Sequence, residues 1–264
     1  NYVHCYRSID LKKWEDMGAV ITTLTPIVPL KKIKGKYHLI NTDGTKVNLE
    51  RPKVIYNKET KQFVMWMHFE NAKDYLDAMA AVATSNYPDH GFTYRGAFRP
   101  LDNMSRDCTL YQEEDGTAFF ISASNDNQDL HIYRLSEDYL SIDHLVQKLF
   151  VGLYREAPAL MKKDGIYYLL SSYCTGWLPN QCQYATATSI EGTWSELQNI
   201  GNYNTYHSQP AFIFEYEGLL YYLGDCWGGV NWEKIEEFDY TKSCYLCMGF
   251  VFENNQLFFD KDKE

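Results

Sequence analysis

A unit of roughly fifty residues recurs along this chain, and nothing else in the sequence constrains its fold as strongly. The unit opens with a short strand after a polar residue. It turns through charged residues, often with Gly, and continues in a strongly apolar strand. Its first half appears as Arg51–Tyr56, a turn at 57–61, and Phe63–Met67. It returns as Cys108–Tyr111 with Ala118–Ile121, Ala157–Met161 with Ile166–Leu170, and Pro210–Phe214 with Leu219–Leu223. The second half, a strand ending in Ser or Thr before a large residue, appears at Tyr6–Trp14, Ala83–Phe92, Tyr133–Leu140 and Ala187–Trp194. Apolar and aromatic runs bounded by turn residues are strands, about four per unit.

Four-stranded units at this period are the blades of a β-propeller. Four can be counted whole or nearly so, and Tyr2–Trp14 opens the chain as half of another. Tyr245–Phe250 and Gln256–Phe259 could complete that opening half and close a ring. The expectation is therefore an all-β, five-bladed β-propeller, with residues 1–264 forming a single catalytic domain whose opening blade is incomplete at the N-terminus. A sandwich of similar strand count is the competing architecture.

Composition bounds the partners. The net charge of −10, from 25 basic and 35 acidic residues, argues against nucleic acid or an anionic membrane surface, since either requires a basic patch. No apolar run approaches the ~20 residues of a membrane-spanning helix. The 22 tyrosines suit strand packing and, secondarily, stacking on sugar rings. Asn1–Tyr6 lacks the pattern of a signal peptide and reads as the middle of a strand, as if the chain starts after processing or lacks an N-terminal piece. The seven cysteines are scattered. Cys244 and Cys247, three apart on a strand, point to opposite faces and read as structural thiols.

In a propeller the first strand of every blade faces a shared channel, so equivalent positions converge. The residues at the start of the four repeat strands are Glu50, Asp107, Glu156 and Gln209. A ring of polar lining bonded to water is the bland explanation. The sharper one is glycoside cleavage, in which a carboxylic acid protonates the leaving oxygen and a second polar group handles water on the other face of the sugar. Glu156 is the best donor, because Pro158 stiffens the chain beside it. Asp107 could keep it protonated by like charge. A simple Arg155–Glu156 ion pair would act the other way.

At these residues the sequence resembles glycoside hydrolase family 43 and, within it, the exo-β-1,3-galactanase subgroup. The matching stretches are Val3–Leu11 with Trp14, Glu50–Val54, Ser105–Cys108, Arg155–Pro158, Thr175–Asn180 and Tyr206–Gln209. The resemblance implies a five-bladed propeller and an inverting mechanism, with Glu156 as general acid and Asp107 tuning it and orienting substrate. It assigns the handling of water to Glu50 and Gln209. An ordinary amide cannot accept the proton, so Gln209 acts by position or through an unusual tautomer. Tyr75, Asn127, Thr175, Trp177 and Asp225 resemble sugar-contacting positions, Trp177 by stacking on a galactose ring, and His207 resembles a supporting residue. Two departures stand out. The chain starts about half a blade late. Ser243–Met248 replaces a strand richer in Trp and Pro, with Cys226 where arginine is common.

The leading expectation is a hydrolase that releases single units from a β-1,3-galactan or arabinogalactan backbone. An α-L-arabinofuranosidase or β-xylosidase of the same family is the alternative within enzymes, and a non-catalytic carbohydrate-binding propeller the alternative outside them. No cofactor is required and no metal site is expected among the catalytic residues, although an oxygen-rich channel suits a structural calcium. A polysaccharide substrate points to a secreted or periplasmic location.

Overall fold

Each repeat folds as a four-stranded antiparallel sheet whose strands follow one another in chain order. The computed structural model describes every residue except Asn1, Tyr2, Lys32, Asn255 and Glu264, so Tyr2, where the opening half unit begins, lies outside the described residues. The pair β1 (Val3–Arg7) and β2 (Glu15–Ile21) stands as a two-stranded sheet. The first full sheet comprises β3 (Asn48–Asn57), β4 (Gln62–Glu70), β5 (Met79–Ser85) and β6 (Thr93–Phe98). The second comprises β7 (Cys108–Gln112), β8 (Ala118–Ser124), β9 (Asp129–Leu135) and β10 (Ile142–Leu149). The third contains β11 (Arg155–Lys163), β12 (Ile166–Tyr173), β13 (Gln183–Ala187) and β14 (Gln198–Asn199). The fourth contains β15 (Gln209–Tyr216), β16 (Leu219–Cys226), β17 (Cys244–Glu253) and β18 (Gln256–Phe259).

These sheets are blades of the propeller type, and the fold class is all-β. Among the described residues there are four complete blades, not the five expected. The difference lies at the C-terminal end. Tyr245–Phe250 and Gln256–Phe259 do not complete the opening half unit. They fall in β17 and β18, where β17 pairs with β16 from Tyr221↔Gly249 to Cys226↔Cys244. The physical reason is that consecutive strands pair when a connection permits it, and the segment 227–243 is long enough to turn the chain back.

The chain divides into two units, residues 1–126 with 131–146, and residues 127–130 with 147–264. In the first unit, β4 is buried on both faces, and its alternation divides its side chains between two cores. Met65, Met67 and Phe69 join Ile21, Ala81 and Tyr94, while Val64 and Trp66 join Val82, Phe120 and Tyr133. A strand with period-two side chains and no solvated face reads as a continuous apolar run, as Phe63–Met67 does. In the second unit Leu170, Tyr184, Tyr222, Met248 and Phe259 form one core. Among the described residues no helix is long and apolar enough to cross a membrane.

Candidate functional site

The first strands of three blades carry the same irregularity. Register shifts occur between Glu50 and Lys53 in β3, between Glu156 and Ala159 in β11, and between Pro210 and Phe212 in β15. A bulge inserts an extra residue and re-aims the side chains around it. It falls just after Glu50, Glu156 and Gln209. Arg51 (φ +53°) and Ala157 (φ +51°) occupy the left-handed region, each just before a proline, a conformation that costs a non-glycine residue about 1–3 kcal/mol. Local strain thus sits beside two of the predicted residues.

In the first unit, hairpin pairing sets Glu50 opposite His68. Tyr75 Oη donates to Glu50 Oε1 at 2.8 Å. His68 Nδ1 stands 3.2 Å from Glu50 Oε2 in an ion pair. The other ring nitrogen, Nε2, lies 2.9 Å from Glu70 Oε1. Burial opposes a charge on His68, but the two carboxylates overcome it and raise its pKa to about 9. The ring is therefore an imidazolium at neutral pH. Burial likewise opposes ionisation of Glu50, yet His68 and the Tyr75 hydroxyl hold its carboxyl below the usual range. Asp107 is disfavoured as an anion by burial, and Arg51, with Nε 3.1 Å away, pulls its pKa down. The loop carrying Tyr75 is pinned by Arg106 on the Tyr75 carbonyl (2.9 Å) and by Arg99 on the carbonyls of Leu76 and Asp77 (2.8 and 3.0 Å).

The charged His68 has a consequence for stability. Its folded pKa lies above the ~6.5 of a free imidazole, so its contribution is complete below about pH 6.5 and is lost as pH rises through about 9. The expected loss across that window is on the order of 3 kcal/mol. Urea denaturation at several pH values should show it, and a His68→Gln variant should lack that slope. A wild-type stability that is flat between about pH 7 and 9.5 would contradict the imidazolium.

In the second unit, Glu156 is 9% exposed and both of its oxygens accept from amides. Gln209 Nε2 donates to Oε1 at 2.9 Å, and Asn127 Nδ2 donates to Oε2 at 3.0 Å. Gln209 also donates to Ser172 Oγ (3.0 Å), and its carbonyl accepts from Trp227 Nε1 (2.9 Å). Arg155 turns its guanidinium to Ser171 and to Gln183 Oε1 (3.0 Å). Asp225, opposite Gln209 in the β15–β16 pair, is 8% exposed.

Asp225 and Gln209 line a shallow recess together with Ser172, Trp177, His207 and Trp227. Its wall is aromatic. Trp177 stacks on Phe238 (5.1 Å between centroids) and meets Trp227 and Tyr240 edge-on, while Trp227 stacks on Tyr240 (5.8 Å). Trp177 still keeps 44% of its surface exposed. The Thr175 hydroxyl is taken up inside its own loop, donating to the Leu178 carbonyl (2.6 Å) and accepting from Asn180 Nδ2 (2.7 Å). Thr205, Tyr206 and His207, all at positive φ, lead the chain into Gln209.

The structure thus brings Glu50, Tyr75 and His68 together in one unit, with Asp107 paired to Arg51. In the other it gathers Glu156, Gln209 and Asn127, while Trp177 and Asp225 line the recess. Residues outside the expected set are His68, Glu70, Ser172, Trp227, Phe238 and Tyr240. Among the described residues no group of three or more His, Cys, Asp or Glu could hold a metal ion.

The sequence profile of glycosyl hydrolases family 43 matches residues 1–200. An exo-beta-1,3-galactanase from Clostridium thermocellum is 41% identical over 97% of this chain and 55% of its own, with a TM-score of 0.83. An exo-beta-1,3-galactanase from Phanerochaete chrysosporium, crystallised with galactose, is 31% identical over 98% of this chain and 56% of its own, also with a TM-score of 0.83. A xylan 1,3-beta-xylosidase from Vibrio sp is 40% identical over 83 residues, 30% of this chain and 15% of that protein. The chain therefore spans little more than half the length of these solved relatives. With the family profile matched over three quarters of its length, the chain belongs to glycosyl hydrolases family 43.

Proposed function

We propose that this chain is an inverting glycosidase that removes single galactose units, bare or decorated, from the end of a β-1,3-galactan or arabinogalactan backbone. The observation that carries the reading is the nearly buried Glu156 carboxyl, held by the Asn127 and Gln209 amides beside a recess walled by Trp177 and Trp227. The 41% identity to an exo-beta-1,3-galactanase across 97% of the chain supports the same substrate class.

In this reaction Glu156 donates its proton to the glycosidic oxygen as the bond to the anomeric carbon breaks. Water attacks that carbon from the opposite face, so the new hydroxyl carries the inverted configuration. Gln209 orients the water, or takes its proton through the imidic tautomer. Glu50, kept ionised by His68, is the carboxylate available to assist. Asp107 tunes the acid and orients substrate, and Tyr75, Asn127, Thr175, Trp177 and Asp225 contact sugar. No cofactor enters any step. The exo mode rests on the 41% identity to an exo-beta-1,3-galactanase across 97% of the chain.

By the same reading β1 and β2 are the outer pair of a fifth blade, residues 1–264 act as one catalytic domain, and the protein works outside the cytoplasm, where polysaccharide is found. The segment similar to a xylan 1,3-beta-xylosidase motivates one second reading, a β-xylosidase of the same family.

Incubation with β-1,3-galactan, followed at early times by proton NMR, tests both. The expected product is galactose, or galactose units bearing side groups, appearing first as the α-anomer. First appearance of the β-anomer would overturn inversion. Activity on xylosides with none on any β-1,3-galactan would replace the leading reading by the second.

A further inference from the structure

The segment 227–243 joins β16 to β17 and carries Trp227, Trp232, Phe238 and Tyr240. The two ends of this segment are cysteines. Cys226 closes β16 and Cys244 opens β17, and they stand directly opposite each other in the antiparallel pair. Directly opposed residues in such a pair have Cα atoms about 4.5 or 5.5 Å apart, depending on the hydrogen-bonding position. Both values fall inside the ~4.4–6.8 Å that a disulfide bridges without moving the backbone. The Cys244 thiol is near enough to push the Cys226 pKa up. Both are free, Cys226 fully buried and Cys244 exposed.

We propose that Cys226 and Cys244 form a reversible cross-strand disulfide that clamps the base of the aromatic segment 227–243. The clamp would fix the frame that holds Trp227 on the Gln209 carbonyl and Tyr240 against both Trp177 and Trp227. The oxidant is a small-molecule disulfide such as oxidised glutathione. The exposed Cys244 thiolate attacks one of its sulfurs, the S–S bond breaks, and one glutathione leaves as thiolate. The Cys226 thiolate then attacks the Cys244 sulfur of the mixed disulfide and expels the second glutathione. Two protein thiols are oxidised, one disulfide is reduced to two thiols, and the two protons pass to the glutathione released. Burial, helped by the neighbouring Cys244, pushes the Cys226 thiol up to about 12, so its step is the slow one and quickens with pH.

Cys247 provides the internal control. It lies on the same strand three residues on and faces Leu223, not Cys226. Trypsin cuts after Lys234 and Lys242, so Cys226 and Cys244 end in different peptides. The folded protein is equilibrated with oxidised and reduced glutathione at graded ratios, quenched by alkylation, digested without reductant and mapped by mass spectrometry. The expected result is one linked pair of peptides joining Cys226 to the 243–261 peptide. Its yield should rise with the oxidised fraction and reverse on adding reduced glutathione. The link should survive in Cys247→Ser and vanish in Cys244→Ser, an exposed position where serine leaves packing intact. A stable glutathione adduct on Cys244 with Cys226 still alkylated only after unfolding would overturn the proposal. So would a Cys244–Cys247 bond, or a link that persists in Cys244→Ser. None of these readouts depends on what the protein hydrolyses.

Discussion

Replacing Glu156 by Gln should lower kcat on β-1,3-galactobiose or galactotriose by about a thousandfold, on the order of 4 kcal/mol of barrier, and leave KM within a few-fold. The amide has the size of the acid but no proton to give the leaving oxygen. The fold should also tolerate the exchange, for a reason visible in the site. Glu156 now accepts through both oxygens, from Gln209 and from Asn127, whereas a glutamine has one oxygen and one NH2. Asn127 Oδ1 is buried with no hydrogen-bond partner. Rotating the Asn127 amide about χ2 would turn that acceptor to the new NH2, at the cost of the long contact from Nδ2 to Cys174 Sγ at 3.5 Å and of moving the Asn127 NH2 into the buried place Oδ1 now holds. Unfolding free energy should therefore fall by no more than about 1–3 kcal/mol. Steady-state kinetics and urea melts on the same preparation separate the two effects. Equal kcat in variant and wild type would remove Glu156 from the chemistry. A thousandfold loss accompanied by a large fall in stability would show a damaged fold and not a missing proton.

Much of this arrangement was legible in the sequence, because the repeat is written in turn residues and alternating apolar runs. The hairpins β3–β4, β7–β8, β11–β12 and β15–β16 match the four pairs of runs read from it. The address at the start of each first strand was legible for the same reason, and it singled out Glu50, Asp107, Glu156 and Gln209. The partners across each hairpin were not. His68, Ser172 and Asp225 oppose Glu50, Glu156 and Gln209 in the strand pairs. Of these only Asp225 was marked beforehand, and that by resemblance. Counting back along each turn would have found all three, had the register shifts after Glu50, Glu156 and Gln209 been known. A bulge changes the count without leaving a mark in composition. Placing Tyr245–Phe250 with the opening strands failed on a different point. Periodicity says that a segment is a strand, but its sheet is chosen by long-range pairing, and here the preceding strand was the nearer partner. The aromatic wall was hidden too, since Trp227, Phe238 and Tyr240 sit outside the repeat in the segment between β16 and β17.

The largest loss of stability should come from Glu70→Leu. The Glu70 carboxylate is 1% exposed and serves three donors. Oε1 accepts from His68 Nε2 (2.9 Å) and the Ala78 amide (3.0 Å), and Oε2 accepts from the Asp77 amide (3.1 Å). Leucine fills similar space but strands two backbone N–H groups and leaves a buried imidazolium with Glu50 alone. Removing one member of a buried charge pair typically costs 3–5 kcal/mol, a large share of the ~5–15 kcal/mol that holds a domain together. The expected signature in urea is a lower midpoint with an unchanged slope. Glu70→Gln, which keeps one acceptor oxygen, should lose roughly half as much. Adding His68→Phe to Glu70→Leu should recover part of the loss, because the stranded charge goes with the imidazole, and that non-additivity is the diagnostic. The effect should also reach the site. Asp77 and Ala78 anchor the end of the loop that carries Tyr75, and Tyr75 donates to Glu50. A Glu70→Leu protein within about 1 kcal/mol of wild type, with no coupling to His68→Phe, would mean that the His68 ring is neutral and that Glu50 is held by something else.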